Sequence, residues 1–438
     1  MRVWLVNHYA LPPSEPGWTR HYALARELIQ SGHDVTIIAS SFNHVTGMQM
    51  NCAREKLCTF ERFGEVPFLL LRVPPYRSKV ARLWNMFVFA FEVWSGLGTR
   101  KLGKPDIVIG SSLTLLAAFA AERLARRLRA PFVLEIRDLW PQTLIDMGMR
   151  PYHPAVIGFG IVERYLYRKA DKIITLLPNA SEYIVPKGAR SNDITWIPNG
   201  VDMELMPFPQ VPTPHDRFIV IYAGAHGLAN ALDSVLDAAV ILNKEAPGRF
   251  CFRFVGDGRN KRELRRRVET ENIPNVVFED QVPKRKIFSI LQDADAFIIS
   301  TKKTDLYRYG ISPNKLHEYM AAARPTIFAA ESHNNPIAEA SAGITVTPED
   351  SVAIARAVQA LAAMSADERW AMGLRARRYI EEHHDFTVLA RRLELVLQSA
   401  LASSRKHGAK SRVLRPLSGA MSKAVIENAH PPNDHERS

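Results

Sequence analysis

The sequence predicts an α/β protein made of two successive doubly wound, Rossmann-like domains that face each other across a cleft. Strand-like and helix-like stretches alternate along almost the whole chain, the pattern of parallel sheets covered on both faces. The alternation breaks once, between Asn199 and Arg217, where Pro207, Pro209, Pro212 and Pro214 fall with neither helical nor strand period. At 438 residues and 47% apolar, the chain is long for one core and suits two domains.

The first half opens on a short strand, Val3 to Asn7, followed by a loop from Tyr9 to Gly17 and a helix over about 19–30 that Gly32 ends. Val35 to Ala39 is the next strand, and residues 43–66, without a clear period, are expected to hold loop and short elements. Further strands are expected at Phe68 to Val73, Ile107 to Gly110, Phe132 to Ile136, Lys172 to Thr175 and Thr195 to Ile197, with helices most plainly over 113–129 and 154–169. The second half starts with strand Phe218 to Ala223 and helix 228–243, then strand Phe250 to Val255, helix 260–270, strand Val276 to Phe278, helix 284–292 and strand Ala296 to Ser300. Ser312 as N-cap and Pro313 as first helical residue then begin a helix that runs to about Ala323, where Pro325 stops it. Strand Thr326 to Ala329 and helices near 336, 351, 366 and 387 complete the series. This places a first domain over 1–200, a linker over 201–217, a second domain over 218–385, and a terminal helix over 386–402 free to return to the first domain. From 403 to 438 the composition turns to Ser, Gly, Pro, His and clustered basic residues, and a disordered basic tail is expected.

A net charge of +12 points to an anionic partner: nucleic acid, a membrane surface or a phosphorylated substrate. Nucleic acid is the weakest of these and is not expected as a partner. The basic run Lys261, Arg262, Arg265, Arg266, Arg267 is interleaved with Glu263 and Glu269 as on a solvated helix face, and no nucleic-acid-binding signature accompanies it. Cys52, Cys58 and Cys251 fit neither a disulfide framework nor a zinc spacing, which implies reduced thiols and a cytoplasmic setting. Val3 to Asn7 reads at once as a strand rather than a signal peptide, and apolar stretches such as Met86 to Phe91 fall far short of the ~20 residues of a spanning helix.

Several stretches can carry chemistry. Asn314, Lys315 and Glu318 are candidate donor-binding residues on the helix that Pro313 begins: Lys315 and Glu318 share one side, while Leu316, Tyr319, Met320 and Ala323 make an apolar side; a cation beside a helix N-terminus suits phosphate, an exposed ion pair being the plainer explanation. Gly224, Ala225, His226 and Gly227 follow the first strand of the second half, where glycines let backbone N–H groups approach a phosphate and His226 can donate to it. In Phe254-Val-Gly-Asp-Gly, Asp257 is expected to cap the next helix. Gly17 lies where the first helix would point its N-terminus at a phosphate or sugar. Arg137 and Asp138 close a strand at its carboxyl end, where open sheets bind ligands. Trp84, Phe87, Phe91 and Trp94 recur on one helical face flanked by Lys79, Arg82 and Arg100, which suits a membrane interface or a lipid-linked substrate; core packing competes with that reading.

Together these residues resemble the family 4 retaining glycosyltransferases of GT-B type, and more narrowly the bacterial branch that builds O-antigen, capsule or exopolysaccharide. The resemblance covers about 1–400. It is carried by His8-Tyr-Ala-Leu-Pro-Pro with Gly17, Gly32-His-Asp-Val-Thr, Arg137-Asp-Leu-Trp-Pro, Ile197-Pro-Asn-Gly-Val-Asp, Phe254-Val-Gly-Asp-Gly and Ser312-Pro-Asn-Lys-Leu-His-Glu-Tyr-Met, in the family's order. It implies that the second half binds a nucleotide sugar, with UDP the expected nucleotide, and that the first half binds a lipid-linked or polysaccharide acceptor. A hexosyl or N-acetylhexosaminyl unit would be transferred in the cleft. Glu318 matches the second glutamate of the family's paired motif, which receives the donor ribose hydroxyls. The position of the first glutamate, eight residues earlier, is Gly310, so the sugar contact made there is absent or made by backbone. Where many members carry Arg and Lys for the leaving diphosphate, this chain has His226 and Asn230, which leaves that task to Lys315, the N–H groups of Gly224 to Gly227 and Arg137. Asp138 would orient the acceptor hydroxyl, and no catalytic metal or other cofactor is expected. A UDP-sugar 2-epimerase and a non-catalytic partner subunit at the membrane are the rival readings.

Overall fold

The structure, a computed structural model, describes residues 1–413 apart from 16, 18, 51–55, 147, 212–214 and 284–285. The first half contains β1 (Arg2–Val6), α1 (Arg20–Gln30), β2 (Asp34–Ser40), the short hairpin β3 (Phe42–Asn43) and β4 (Met48–Gln49), β5 (Cys58–Phe63), β6 (Val66–Leu71) and α2 (Lys79–Ser95). It continues with β7 (Ile107–Ser111), α3 (Leu115–Leu128), β8 (Phe132–Ile136), α4 (Gln142–Asp146), α5 (Pro154–Lys169), β9 (Lys172–Thr175), α6 (Ser181–Ile184) and β10 (Ile194–Trp196). Its large sheet has the order β10-β9-β8-β7-β1-β2-β6-β5, parallel except for the antiparallel edge pair β5 and β6.

The second half comprises β11 (Phe218–Ala223), α7 (Leu232–Glu245), β12 (Phe250–Val255), α8 (Lys261–Thr270), β13 (Val276–Glu279), α9 (Ile287–Gln292), β14 (Ala296–Ser300) and α10 (Asn314–Ala321). Then come β15 (Thr326–Ala329), α11 (Pro336–Glu339), β16 (Gly343–Val346), α12 (Ser351–Ala363), α13 (Ala366–His383) and α14 (Phe386–Val413). The sheet order is β13-β12-β11-β14-β15-β16, all parallel. Strands such as Phe132–Ile136 and Ala296–Ser300 are buried along their whole length, which explains why they read as unbroken apolar runs.

Each sheet is covered on both faces by helices. In the first half, α2, α3 and α5 lie over one face, and α1 with the apolar side of α14 (Leu389, Leu393, Leu397) lies over the other. The chain crosses between halves twice, and the two crossings are paired. Val201 N donates to His384 O at 3.0 Å and Phe386 N to Val201 O at 3.3 Å.

The fold departs from the sequence reading at several points, beginning with the strand β16, which the sequence reading lacks. Residues 43–66 hold a six-residue strand, β5, whose partly exposed alternation as an edge strand hides it from a search for apolar runs. The linker is packed where it is described, with Val201 and Met206 buried against the second half; Pro212 and Pro214 lie outside the described residues. The last helix continues to Val413, so 403–413 is helical rather than disordered, in keeping with its helix-compatible Ala, Arg and Lys content; 414–438 of the expected tail lies outside the described residues. Ser312 does not cap α10. The helix starts at Asn314 after an extended Pro313, because Ser312 Oγ is taken by the backbone N–H of Asn199 at 2.9 Å.

Candidate active site

The carboxyl ends of β11, β12 and β13 open onto a cavity of about 380 Å³. Its walls on that side are Ala223, Gly224 and Ala225, then Val255, Gly256 and Asp257, then Gln281 and Val282, with Ile287 of α9 and Glu318 of α10; Gly17 and Val45 from the first half close it. This is the cleft position where open α/β sheets hold ligands. The glycines let its two loops interlock, since a Cβ on Gly256 would fall 2.1 Å from Gly224 O and one on Gly258 2.4 Å from His226 O.

The apolar side of α10 is buried and ties the helix to the first loop, where the Tyr319 hydroxyl accepts from Ala223 N at 2.5 Å and donates to Ala223 O at 2.9 Å. The opposite side carries Glu318 into the cavity wall and Lys315 against Gly224, with Lys315 Cδ 3.3 Å from where a Gly224 Cβ would be. Lys315 Nζ donates to the Tyr222 hydroxyl at 2.7 Å and to Asn230 Oδ1 at 2.6 Å, and sits 4.3 Å from the centre of the Tyr222 ring. Among the described residues no carboxylate pairs with it, so the alternative reading of Lys315 and Glu318 as a surface ion pair does not hold. Burial pulls its pKa down from 10.5 to about 7. A half-buried ammonium, crowded by protein, that meets only neutral oxygens and a π face attracts an anion.

The structure divides the Gly224–Gly227 loop. The N–H groups of Gly224 and His226 are already bonded to Val255 O and Asp257 O, both at 2.9 Å, whereas those of Ala225 and Gly227 have no acceptor among the described residues. His226 does not reach the cavity. Its side chain is fully buried behind the loop, between Tyr222, Phe254 and Phe278, and burial pulls its pKa down to about 4. Donation from its ring to a phosphate is therefore replaced by a packing role. Asp257 does not cap α8 either: its Oδ1 accepts from Gly258 N at 2.7 Å, and the helix begins only at Lys261.

Gly17, with φ of 143° and exposed, faces the cavity from the first half, and α1 begins at Arg20, within one residue of the expected start. Asn314 opens α10 one residue before Lys315. Arg137 and Asp138 stand at the carboxyl end of β8 but do not line the cavity. Asp138 is open to solvent yet crowded by protein, and this desolvation raises its pKa against the opposing pull of Arg137. One Asp-x-Asp, Asp293-Ala-Asp295, does occur. It lies at the amino end of β14, away from the cleft, with Asp293 paired to Arg253 at 3.0 Å and Asp295 accepting from Ile219 N at 2.8 Å.

Trp84, Phe87, Phe91 and Trp94 are 62, 49, 63 and 50% exposed, so core packing does not account for them. Asn85, Phe89, Glu92 and Val93 make the inward face of α2. Among the described residues no helix is long and apolar enough to cross a membrane.

Sequence reasoning missed Tyr222 as the seat of Lys315, and Gln281, Val282 and Ile287 as cavity walls. The same signal that found Arg137, the residues just past a parallel strand's carboxyl end, marks Gln281 and Val282 as well.

Comparison with known proteins bears on this geometry. Residues 17–200 match the family model described as glycosyl transferase 4-like domain, and residues 217–364 match glycosyl transferases group 1. The colanic acid biosynthesis glycosyl transferase WcaI of Escherichia coli K12 is 24% identical over 299 residues, 64% of this chain and 71% of that one. The colanic acid biosynthesis glycosyltransferase WcaL of the same organism is 27% identical over 237 residues, 53% of this chain and 58% of that one. Among solved structures, sucrose-phosphate synthase from Thermosynechococcus elongatus superposes with a TM-score of 0.72 at 15% identity, covering 92% of this chain and 99% of its own. HepE from Anabaena, in complex with UDP and glucose, superposes with a TM-score of 0.64 at 13% identity, covering 91% and 100%. At these identities the structures speak for the fold alone.

Proposed function

The chain belongs to the family 4 glycosyltransferases of the GT-B fold, and we propose that it moves a sugar, with retention of configuration, from a UDP-linked donor to a lipid-linked glycan acceptor in exopolysaccharide synthesis. The observation that carries the donor half of this reading is Lys315, a cation held against Gly224 of the cavity wall with no carboxylate partner among the described residues, beside the open N–H groups of Ala225 and Gly227. UDP is proposed because HepE is described with UDP and glucose and the E. coli trehalose-6-phosphate structure with UDP-2-fluoro glucose. Exopolysaccharide is proposed from the names of WcaI and WcaL.

In this mechanism the bond from sugar C1 to the β-phosphate oxygen loosens and positive charge develops on the ring. The diphosphate that departs gains negative charge, which Lys315 and the two N–H groups neutralise. The acceptor hydroxyl attacks C1 from the face the diphosphate leaves and gives its proton to the departing phosphate oxygen. Glu318, in the same wall one helical turn beyond Lys315, accepts the ribose hydroxyls. Asp138 with Arg137 orients the acceptor hydroxyl from the carboxyl end of β8. The outward aromatic face of α2, flanked by exposed Lys79, Arg82 and Arg100, rests on an anionic membrane and brings the lipid-linked acceptor to the cleft.

The test is a binding and turnover screen against nucleotide sugars with and without EDTA. UDP-sugar binding, transfer that survives EDTA, and a loss of turnover of about 10² or more in Lys315→Ala are expected. Activity that collapses on metal removal overturns the metal-free mechanism. Free sugar products from donor alone indicate a 2-epimerase, and undetectable donor binding indicates a non-catalytic partner subunit.

A further inference from the structure

The segment that leads into α10 crosses to the other half of the molecule. Residues Asp305–Tyr309 form a 3-10 turn in the second half, yet Tyr309 is buried in the first half's core, with Leu306 packed beside it. Its ring meets Tyr183 of α6 edge-on at 5.6 Å. Its carbonyl accepts from the backbone N–H of Asn179 at 3.1 Å. The socket is itself fixed, because Lys187 lies 3.3 Å over the Tyr183 ring and donates at 3.0 Å to Glu163, which also accepts from Tyr167 at 2.8 Å.

The next residue shows how close the halves come. Gly310 has φ of 110°, and a Cβ there would fall 2.4 Å from Pro178 Cδ. The absent family glutamate thus has a local cause: at this position a side chain would run into the first half. Two residues further on, Ser312 receives the Asn199 N–H at 2.9 Å, and its carbonyl receives Asn199 Nδ2 at 2.7 Å. The three residues before Pro313 are therefore clamped from the first half at both ends, and Lys315 follows within one turn.

We propose that Tyr309 is an interdomain latch, a positioning residue whose ring, plugged into the first half, holds the two halves together and sets the start of the helix that carries Lys315 and Glu318. The ring and not the hydroxyl makes the insertion. Because Gly17 and Val45 of the first half close the cavity wall, loosening the latch removes part of the cavity from any ligand held there. The consequence for sugar transfer rests on the donor-site reading above, but the latch itself does not.

The experiment uses the full chain, small-angle X-ray scattering and UDP titration. In Tyr309→Ala the radius of gyration rises by more than ~1 Å above the ~22 Å expected for a compact chain of this length. UDP affinity falls by about tenfold as the closed population shrinks. Tyr309→Phe matches the wild type in both. Should Tyr309→Ala fail to fold, Tyr309→Leu, which removes the ring but leaves an apolar side chain in the socket, is read in its place. Wild-type scattering in folded Tyr309→Ala or in its Tyr309→Leu substitute, or opening in Tyr309→Phe equal to that in Tyr309→Ala, overturns the latch. Lys315→Ala is the separate control. It weakens UDP binding with wild-type scattering if the donor reading holds, and leaves UDP binding unchanged if that reading fails.

Discussion

At the scale of single residues, burial of Lys315 carries a stability cost, set against its bonds to Tyr222 and Asn230. Its pKa is pulled down to about 7 by burial, so in the ligand-free protein the unfolded chain holds more protons on this group between pH 7 and its ordinary 10.5. Stability from this group therefore rises with pH across that window, and the deficit is largest below pH 7. Lys315→Met should raise the melting temperature of the free protein at pH 6.5 while it weakens UDP binding; a loss of stability would make the lysine structural. UDP binding has the opposite slope. Bound diphosphate requires the charged form, so above about pH 7 the wild-type affinity should fall by up to tenfold per unit relative to Lys315→Ala, whose profile subtracts the nucleotide's own titration. Parallel profiles by calorimetry would remove Lys315 from the diphosphate site. Lys315 and Glu318 were legible in sequence because helical spacing alone puts them on one side. The role of His226 was not, because its burial depends on Phe254 and Phe278, some thirty to fifty residues away, and the same distant strands decide which N–H groups of the loop remain open.

At the scale of elements, α2 shows what periodicity can and cannot settle. The spacing of Trp84, Phe87, Phe91 and Trp94 establishes a shared face but not the direction it points, since a core stripe has the same period. The structure resolves this through the other face, where Phe89 and Val93 pack on α3 and where burial pushes the Glu92 carboxyl up to about 8, toward its uncharged form. The outward aromatics make a stripe of the kind that marks an interaction surface. Trp84→Ser combined with Phe91→Ser should abolish co-sedimentation with vesicles rich in phosphatidylglycerol and leave UDP affinity unchanged, because α2 forms no part of the cavity wall. Undiminished sedimentation of the double variant would refute membrane docking by this helix. Elements with a buried apolar run, such as β8 and β14, were readable from composition, whereas β5, half exposed at a sheet edge, was not.

At the scale of the whole molecule, two sheets of similar make are joined by a seam whose pairing no local pattern announces. The proline-rich break locates one crossing and the start of the terminal helix at 386 locates the other, but that the two pair, through Val201 with His384 and Phe386, is read only from the structure. Gly200 is the point of closest approach, with a Cβ there falling 2.4 Å from His384 O and 2.6 Å from Leu389 Cδ1. The carbonyl is backbone and cannot swing aside, so a methyl group must separate the crossings. On that basis Gly200→Ala should destabilise the protein by ~1–3 kcal/mol, the range for overpacking a tight site. Because the seam also holds Asn199 in place to bond Ser312, the same substitution should weaken UDP binding, although Gly200 lies outside the cavity wall. Urea unfolding together with UDP titration checks both effects. A variant with wild-type stability would mean that the crossings have room to spare, and one that loses stability but keeps full UDP affinity would show that the seam joins the halves without setting the donor helix.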